Sequence, residues 1–337
     1  MTVRPRVLVV DDSAFARTVL SRILRGSGVI DVVGTARDGR DALERIEALD
    51  PDVVTLDLNM PELDGIGVLR ALAGRPRPRV IVVSMSGIAS ELGVEALALG
   101  AVDVVTKPTA VASDRLYELG GELIAKTLAC VSGAPVPAVD PAPATARQAR
   151  PVRLVMVGTS TGGPQALTRL LAALPADLSV PVVMVLHIPV GYTEALAHRL
   201  DTVSPLHVVE ASDGLQLRPG LAVLARAGMQ LRVEREGETL LTRLSNTPLE
   251  PFMPSVNQMF LSGAEAVGAG ALGVVMTGMG DDGLLGAVAI AAKGGTLLTE
   301  SVTTCVVYGM PRAVYEAKLG ATAVPLDGLA AEIVRRV

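Results

Sequence analysis

A serine in a short glycine-rich segment is the first residue whose position suits chemistry. Ser160 stands in the segment GTSTGG, residues 158–163, which follows the apolar run 152–157 and precedes a helical pattern. A hydroxyl group on a glycine turn at a strand end suits nucleophilic attack, and backbone N–H groups at the start of the next helix suit oxyanion stabilisation. These six residues leave two alternatives open: a phosphate-binding turn, and a plain connection between strand and helix.

A histidine at the end of the next strand is the candidate general base. The chain has three histidines. His198 falls inside a helical pattern, and His207 opens a short strand, which puts it at the wrong end for this site. His187 instead closes the apolar strand 182–187, and the carboxyl ends of parallel strands share one edge of a sheet. We therefore expect Ser160 and His187 to be neighbours.

An aspartate in a second glycine-rich loop is the expected third member. The loop TGMGDDG, residues 277–283, ends a predicted strand and leads into a helix, so one of its two aspartates is expected to cap that helix. Asp282 is the carboxylate expected to orient the imidazole. The resulting order of serine, histidine and aspartate differs from that of the α/β-hydrolases, in which the histidine comes last. A dinucleotide site is disfavoured, because the strand after the glycine turn ends in His187 and not in an acid for the ribose.

Polar side chains also end the strands of the N-terminal part. Asp11 and Asp12 end the first strand, Asp57 the third, Ser84 the fourth and Lys107 the fifth. Three converging carboxylates would repel one another unless a hard divalent cation lies among them, and Mg²⁺ prefers oxygen ligands. Asp57 can then accept a phosphoryl group, whose oxygens Lys107 and Ser84 would bind. Solvated strand ends are the alternative, which five such residues at successive strand ends disfavour.

The elements that must position these residues follow from the apolar pattern. Short runs rich in valine, isoleucine and leucine alternate with helical patterns, which predicts an α/β protein with two doubly wound parallel sheets. A change of pattern over 221–244 predicts an antiparallel hairpin inserted in or added to the second sheet. The predicted strands are 7–10, 32–35, 53–56, 80–83 and 102–105 in the first sheet and 152–157, 182–187, 272–277 and 296–299 in the second.

Composition bounds the domains and the partners. The predicted domains are 1–129 and 152–337, joined by a linker over 130–151 that is rich in proline and alanine. A net charge of −5, with three phenylalanines, four tyrosines and no tryptophan, argues against nucleic acid as a partner. The two cysteines, Cys130 and Cys305, give neither a disulfide framework nor a metal-binding pattern. No apolar run is long enough for a membrane span, so we expect a cytoplasmic protein without membrane insertion. We also expect a monomer.

The N-terminal motifs resemble those of response-regulator receiver domains, which have a flavodoxin-like fold. The resemblance rests on VVDDS (9–13), LDLNMP (56–61), VS (83–84) and TKP (106–108), and it covers about the first 125 residues. It implies that a histidine kinase is the phosphodonor. One position departs, since receivers usually carry an aromatic switch residue where this chain has Val104.

The receiver resemblance also implies a role for each strand-end residue. Asp57 would be the phosphorylated residue, and Ser84 and Lys107 would sense the phosphoryl group. Asp11, Asp12 and Asp57 would hold Mg²⁺ together with the backbone carbonyl of Asn59.

The C-terminal motifs resemble those of chemotaxis methylesterases. They are GTSTGG (158–163), HIP (187–189) with GYT (191–193), TGMGDDG (277–283) and VVYGMP (306–311), and this resemblance runs from about residue 152 to the C-terminus. It implies hydrolysis of glutamate methyl esters on methylated chemoreceptors, with methanol as a product and with no cofactor in the esterase site. Some members also deamidate receptor glutamines.

The methylesterase resemblance implies the site roles as well. Ser160 would be the nucleophile, His187 the general base and acid, and Asp282 the orienting carboxylate. The backbone N–H groups of Thr161 and Met279 are the expected oxyanion donors. The family also implies that the unphosphorylated receiver surface covers the esterase site, and that phosphorylation of Asp57 favours an open arrangement.

Two segments depart from the usual methylesterase pattern. This chain has ARAGMQ (225–230) where the family usually has A-P-G-G-x-H, and LEPFMPSVN (249–257) where it usually has N-R-H-x-P-S-V-D. Two histidines and an aspartate are thus replaced, and Leu186 stands where a polar residue is common. We interpret this as retained chemistry with altered substrate recognition. The changes near Gln230 and Pro251 also leave open an alternative, a phospho-dependent scaffold protein of a chemosensory array with weak or altered esterase activity.

Overall fold

The computed structural model describes residues 4–75, 77–85, 89–107, 113–131 and 151–337. The chain divides into two compact units, Met1–Gly133 and Ala134–Val337. Most of the predicted linker, residues 132–150, lies outside the described residues.

The first unit is built on a five-stranded parallel sheet with the strand order β2-β1-β3-β4-β5. The inner strands β1, β3 and β4 are short apolar runs that are largely buried, as strands covered by helices on both faces require, whereas the edge strand β2 is only partly buried. The order reverses between β1 and β3, and their carboxyl ends therefore form the crevice in which such sheets bind ligands. The strands are β1 (Arg6–Val10), β2 (Asp31–Ala36), β3 (Val53–Leu56), β4 (Arg79–Met85) and β5 (Asp103–Lys107).

Helices connect the strands of this unit. Ser13, Asp38 and Asp64 cap three of them, since each side chain accepts a backbone N–H of the first helical turn. The helices are α1 (Ala14–Gly26), α2 (Gly39–Leu49), α3 (Gly65–Leu72), α4 (Ala89–Ala98) and α5 (Ser113–Val131). The predicted doubly wound parallel sheet is confirmed for this unit.

The second unit contains a seven-stranded sheet with the order β15-β14-β13-β6-β7-β10-β8, in which every pair is parallel. The first strand of the unit, β6, lies between β13 and β7, so the carboxyl ends of these three strands are adjacent. The strands are β6 (Leu154–Thr159), β7 (Val182–Leu186), β8 (His207–Glu210), β10 (Leu221–Leu224), β13 (Ala271–Val275), β14 (Thr296–Glu300) and β15 (Thr322–Val324).

A separate antiparallel sheet has the order β11-β12-β9, with β9 (Gln216–Leu217), β11 (Gln230–Glu236) and β12 (Thr239–Ser245). The predicted hairpin is therefore present, but two details of its placement were wrong. It does not join the parallel sheet, and Leu221–Leu224 belongs to the parallel sheet instead of the hairpin. The four residues of this strand are all buried, which matches a central position between β7 and β8.

Helices lie between the strands of the second unit as well. Phe260 and Met259 are fully buried and belong to a core that includes Met156 of β6. None of the helices in the described parts of the chain has the length and hydropathy of a membrane-spanning segment. The helices are α6 (Gly163–Ala173), α7 (Thr193–Val203), α8 (Val256–Val267), α9 (Leu284–Ala292), α10 (Met310–Glu316) and α11 (Leu326–Arg336).

Candidate functional site

The candidate nucleophile lies in a turn that is fixed to a neighbouring strand end. Ser160 follows β6 directly, and its backbone N–H donates to the carbonyl oxygen of Thr277 at 3.0 Å. The same carbonyl accepts the hydroxyl of Thr159 at 2.7 Å. Gly162 has a φ of +81° and no room for a side chain, since a Cβ there would lie 2.7 Å from Val306 Cβ. These contacts hold the serine at the carboxyl end of β6.

The register between β6 and β7 brings the serine and the histidine to adjacent strand ends. Thr159 pairs with Leu186, and Ser160 and His187 are the next residues of their respective strands. The backbone N–H of His187 donates to the carbonyl oxygen of Thr159 at 3.2 Å, which extends the pairing by one step. Both residues therefore lie at the same edge of the sheet.

The imidazole of His187 uses one of its two nitrogens. Nε2 lies 2.9 Å from Asp282 Oδ2, and only 9% of the histidine side chain is exposed. Nδ1 is buried and has no hydrogen-bond partner among the described residues. The other histidines lie elsewhere, as expected: His198 is in α7, and His207 begins β8 and contacts the partly exposed carboxylate of Asp201.

Asp282 is buried at the N-terminus of α8. Its carboxylate accepts the hydroxyl of Ser255 at 2.9 Å and the backbone N–H groups of Val256 at 2.7 Å and Asn257 at 3.0 Å. Burial alone would raise the pKa of this carboxyl, but the contact with His187 and the two N–H donors outweigh burial and lower the pKa. The carboxylate is therefore ionised at neutral pH, and its charge lies at the positive end of the α8 dipole.

A glycine allows α8 to reach this position. A Cβ on Gly158 of β6 would lie 2.3 Å from Val256 Cγ1, so only glycine lets the first turn of α8 pack against the end of β6. The side chain of Ser255 is the N-cap of this helix and contacts Asp282 as well. Ser255 was not among the predicted site residues, although a serine directly before a helical pattern is a recognisable cap signal.

The prediction that one of the two aspartates caps α9 was wrong. Neither Asp281 nor Asp282 caps this helix with its side chain, and the residue at the cap position is Gly283, with a φ of +103°. The side-chain oxygen of Asn257 instead accepts the backbone N–H groups of Gly283 at 3.0 Å and Gly286 at 2.9 Å. Because another helix caps α9, Asp282 is free to contact His187.

Thr277 connects several parts of the site. Its hydroxyl donates to the carbonyl oxygen of Thr161 at 2.9 Å, and its N–H donates to Glu300 Oε2 at 2.8 Å. Glu300 is fully buried, and burial raises the pKa of its carboxyl, although the hydrogen bond from Thr277 acts in the opposite direction. Glu300 was not among the predicted site residues; it ends β14 one residue beyond the predicted strand, at the same edge as the serine.

The predicted oxyanion donors are the residues that follow Ser160 and Gly278 in sequence. Gly278 packs against Ser160 so closely that a Cβ on Gly278 would lie 2.9 Å from Ser160 Cβ. Thr161 follows the serine in sequence, and Met279 follows Gly278. The N–H groups of Thr161 and Met279 therefore remain the predicted donors.

The strand-end residues of the first unit form a second cluster. The carboxylates of Asp11, Asp12 and Asp57 each offer an oxygen atom, and these atoms lie within 4.8 Å of one another. Lys107 Nζ lies 2.6 Å from Asp11 Oδ2 and 2.6 Å from Asp57 Oδ2. Burial would lower the pKa of the lysine, but Asp57 and Asp11 outweigh burial and raise it, so the amine is charged. Three clustered carboxylates fit the oxygen ligands that Mg²⁺ prefers.

The remaining predicted residues of the first unit lie around this cluster. The backbone N–H of Asn59 lies 3.4 Å from Asp57 Oδ1. The hydroxyl of Ser84 on β4 is buried and has no hydrogen-bond partner among the described residues. Val104 is fully buried, and its carbonyl oxygen accepts the amine of Lys126 at 3.0 Å. Pro108, the last residue of the TKP motif, lies outside the described residues.

Both units match families of known proteins. The model of the CheB methylesterase family matches residues 155–333, and the model of the response regulator receiver domain matches residues 7–118. A protein-glutamate methylesterase/protein-glutamine glutaminase 5 of Myxococcus xanthus (strain DK1622) is 55% identical over 340 residues, which cover 98% of each chain. The chain belongs to the CheB methylesterase family. The resemblance predicted from the motifs is thus confirmed for both parts.

Further members of the family agree with this assignment. A protein-glutamate methylesterase/protein-glutamine glutaminase of Symbiobacterium thermophilum is 42% identical over 98% of this chain and 97% of its own. The crystal structure of the Thermotoga maritima CheB methylesterase catalytic domain has a TM-score of 0.54 and 33% sequence identity, and the match covers 55% of this chain and 99% of that one. The fold of the second unit is therefore that of a methylesterase catalytic domain.

The replaced family positions form a connected set in this methylesterase. Gln230, in place of a histidine, is fully buried, and its amide donates to the carbonyl oxygens of Pro248 at 3.3 Å and Phe252 at 3.1 Å. Its oxygen accepts the backbone N–H of Ser255 at 2.8 Å. Phe252, in place of the second histidine, stacks on the imidazole of His187 with ring centroids 4.1 Å apart and an interplanar angle of 3°. The replacements themselves could be read from the sequence, but their contacts could not.

Proposed function

We propose that this chain hydrolyses glutamate methyl esters of chemoreceptors with a Ser160–His187–Asp282 triad. The observation that carries the proposal is the contact of His187 Nε2 with the buried, ionised carboxylate of Asp282, next to the strand end that bears Ser160. The names of the family members support the substrate class, since both describe protein-glutamate methylesterases.

The contact with Asp282 assigns the proton positions in the histidine. An ionised carboxylate can only accept, so Nε2 carries the hydrogen atom and Nδ1 of the neutral ring is the basic nitrogen. Nδ1 takes the proton of the Ser160 hydroxyl while Oγ attacks the ester carbonyl. The imidazolium formed in this step is stabilised by the charge of Asp282.

Collapse of the tetrahedral intermediate completes acylation. The C–O bond to the methoxy group breaks, the leaving oxygen takes the proton from Nδ1, and methanol departs. Water then attacks the acyl-serine while Nδ1 accepts its proton, and the free glutamate and Ser160 are regenerated. The N–H groups of Thr161 and Met279 stabilise the oxyanion in both halves of the reaction. A glutamine side chain reacts by the same steps with ammonia as the leaving group, which matches the second activity in the names of the relatives.

The first unit regulates this activity by phosphorylation of Asp57, with a histidine kinase as phosphodonor. Asp11, Asp12 and Asp57 would hold Mg²⁺, together with the carbonyl oxygen of Asn59, and the ion would supply positive charge beside the phosphoryl oxygens. Lys107 and Ser84 bind the phosphoryl group once it is attached. Residues 1–129 and 152–337 are the two functional domains, joined by the segment 130–151.

Methanol release from a methylated receptor fragment tests the proposal. We expect release by the wild-type chain, a loss of release in Ser160→Ala, and faster release after treatment with a phosphodonor and Mg²⁺. Equal release by wild type and Ser160→Ala would contradict the esterase mechanism. Activation that persists in Asp57→Ala would contradict the phosphorylation switch and leave the esterase mechanism standing.

A further inference from the structure

We infer that Phe252 is a positioning residue for the proposed general base, because its ring fixes the plane of the His187 imidazole. The inference rests on the proposed function for its effect on rate, but its geometric part concerns only the orientation of the histidine ring. It explains why this chain can carry a phenylalanine where its family usually has a histidine.

The contacts of His187 act in two independent directions. The contact with Asp282 lies in the plane of the imidazole and fixes Nε2, but the ring could still tilt about that contact. Phe252 covers one face of the ring, with centroids 4.1 Å apart and planes inclined by 3°. A flat neighbour in parallel contact resists tilting and rotation about χ2, because either motion would drive the imidazole edge into the phenyl ring. The two contacts together fix the direction in which Nδ1 points.

The backbone that carries the phenyl ring is fixed by two hydrogen bonds. The amide of Gln230 donates to the carbonyl oxygen of Phe252 at 3.1 Å, and the backbone N–H of Gly228 donates to the carbonyl oxygen of Met253 at 2.8 Å. Gln230 also accepts the backbone N–H of Ser255, whose hydroxyl contacts Asp282. One buried amide thus links the loop that carries the phenyl ring to the helix start that carries the carboxylate contacts.

The stacked ring also affects charge. A phenyl face attracts a cation, and His187 becomes a cation during each proton transfer. A histidine in the place of Phe252 would provide a similar flat ring, but it would become cationic itself in mildly acidic solution and repel the imidazolium. The phenylalanine has no such charge at any pH. Phenylalanine and histidine therefore provide rings of similar shape at this position, but only the charge of the histidine changes with pH.

Kinetics of Phe252 variants test the effect on rate. We expect Phe252→Leu, which keeps apolar bulk without a flat face, to lower kcat by roughly ten- to a hundredfold with KM changed by less than about twofold. Phe252→Tyr, which keeps a flat ring, should retain most of the wild-type kcat. Leu249→Ala is the matched control, because this side chain of the same loop is 82% exposed, and it should leave both constants unchanged. A Phe252→Leu enzyme with wild-type kcat, or one impaired only in KM, would overturn the inference.

The pH profile separates positioning from simple folding effects. Near pH 8, the kcat of Phe252→His should be close to that of wild type. Below about pH 6.5, where a second imidazole becomes charged, the ratio of the variant's kcat to the wild-type kcat should fall progressively. A constant ratio to wild type over this range would contradict the argument from charge. A merely structural role of Phe252 would give that constant ratio.

Nitrogen NMR of the histidines tests the geometry without any catalysis. In Ser160→Ala, the ring resonances of His187, assigned by their loss in His187→Gln, should report one tautomer with the hydrogen atom on Nε2. Adding Phe252→Leu should broaden or average these resonances, while those of His198 and His207 stay unchanged. Unchanged His187 resonances would overturn the inference even if the esterase were fully active. If wild type released no methanol but the resonances changed as expected, the proposed function would fail and the positioning role would stand.

Discussion

His187 Nε2 lies 2.9 Å from Asp282 Oδ2, and Nδ1 of the same ring is buried without a hydrogen-bond partner among the described residues. This relationship assigns opposite roles to the two nitrogens. In the proposed triad, Nε2 contacts the orienting carboxylate, and Nδ1 is the atom that would exchange a proton with Ser160. The carboxylate is ionised because the contact with His187 and two backbone N–H groups at the start of α8 lower its pKa.

Replacement of the carboxylate tests this division of roles. Asp282→Asn keeps the shape of the side chain but allows the imidazole to adopt the wrong tautomer, since an amide can donate to Nε2. We expect kcat for methanol release to fall by about 10⁴-fold. Asp281→Asn is the matched control, because Asp281 is exposed, and its rate should equal that of wild type. A fall of less than about tenfold in Asp282→Asn would argue against a triad.

Glu300 gives a prediction about pH and stability. Burial raises the pKa of its carboxyl above the value of 4.5 that it has when exposed. As the pH rises from about 4.5, the unfolded chain loses this proton first, so the folded state binds more protons and the free energy of unfolding falls. Glu300→Gln cannot lose a proton, and its amide oxygen can still accept the N–H of Thr277.

We therefore expect Glu300→Gln to gain thermal stability relative to wild type as the pH rises from about 4.5 to about 8. Calorimetric unfolding of both proteins across this range measures the difference in transition temperature. Glu265→Gln, on the outer part of α8, serves as the exposed control and should show no such trend. A constant difference between Glu300→Gln and wild type would show that the carboxyl has no raised pKa.

The cap of α9 predicts a loss of stability that is separate from chemistry. Asn257→Ala removes the oxygen that accepts the N–H groups of Gly283 and Gly286, while the backbone contact of residue 257 with Asp282 remains. We expect the free energy of unfolding to fall by about 1–2 kcal/mol in urea titrations. Asn257→Asp, which keeps an acceptor at a helix N-terminus, should lose less than Asn257→Ala. Equal stability of wild type and Asn257→Ala would contradict the assigned cap.

The first unit gives a prediction about phosphorylation. Incubation with a small phosphodonor and Mg²⁺ should label the wild-type chain, and Asp57→Asn or removal of the metal by a chelator should abolish the label, because the carboxylate nucleophile or the cation is then missing. Asp31→Asn, at an exposed strand start, is the control and should be labelled normally. Intact-mass measurement detects the added phosphoryl group. Full labelling without metal would contradict a Mg²⁺ site at Asp11, Asp12 and Asp57.

The main elements of the fold could be predicted from the sequence because most strands of the parallel sheets are apolar runs, and many of these runs end in a polar residue. Ser160 and His187 follow such runs directly, and a parallel sheet brings their strand ends to one edge. The hairpin was placed less well. Apolar periodicity identifies Leu221–Leu224 as a strand, but it does not show which strand becomes its neighbour.

The surroundings of the triad could not be predicted in the same way. Phe252, Gln230 and Asn257 act through contacts between loops and helix starts that are far apart in sequence, and no local pattern encodes these contacts. The cap of α9 shows the limit clearly. The preference of helix starts for a nearby aspartate favoured Asp281 or Asp282 as the cap. The observed acceptor is Asn257, which lies 26 residues before Gly283 in the chain.

Covalent labelling of the serine tests the central claim most directly. An organophosphonate that reacts with activated serines should modify the wild-type chain, and fragment mass spectra of the tryptic peptide 154–169 should place the adduct on Ser160 and not on its threonines. The rate of labelling should fall by at least about a hundredfold in His187→Gln, because the hydroxyl then lacks its base. An adduct on another residue, or equal rates in wild type and His187→Gln, would contradict the account.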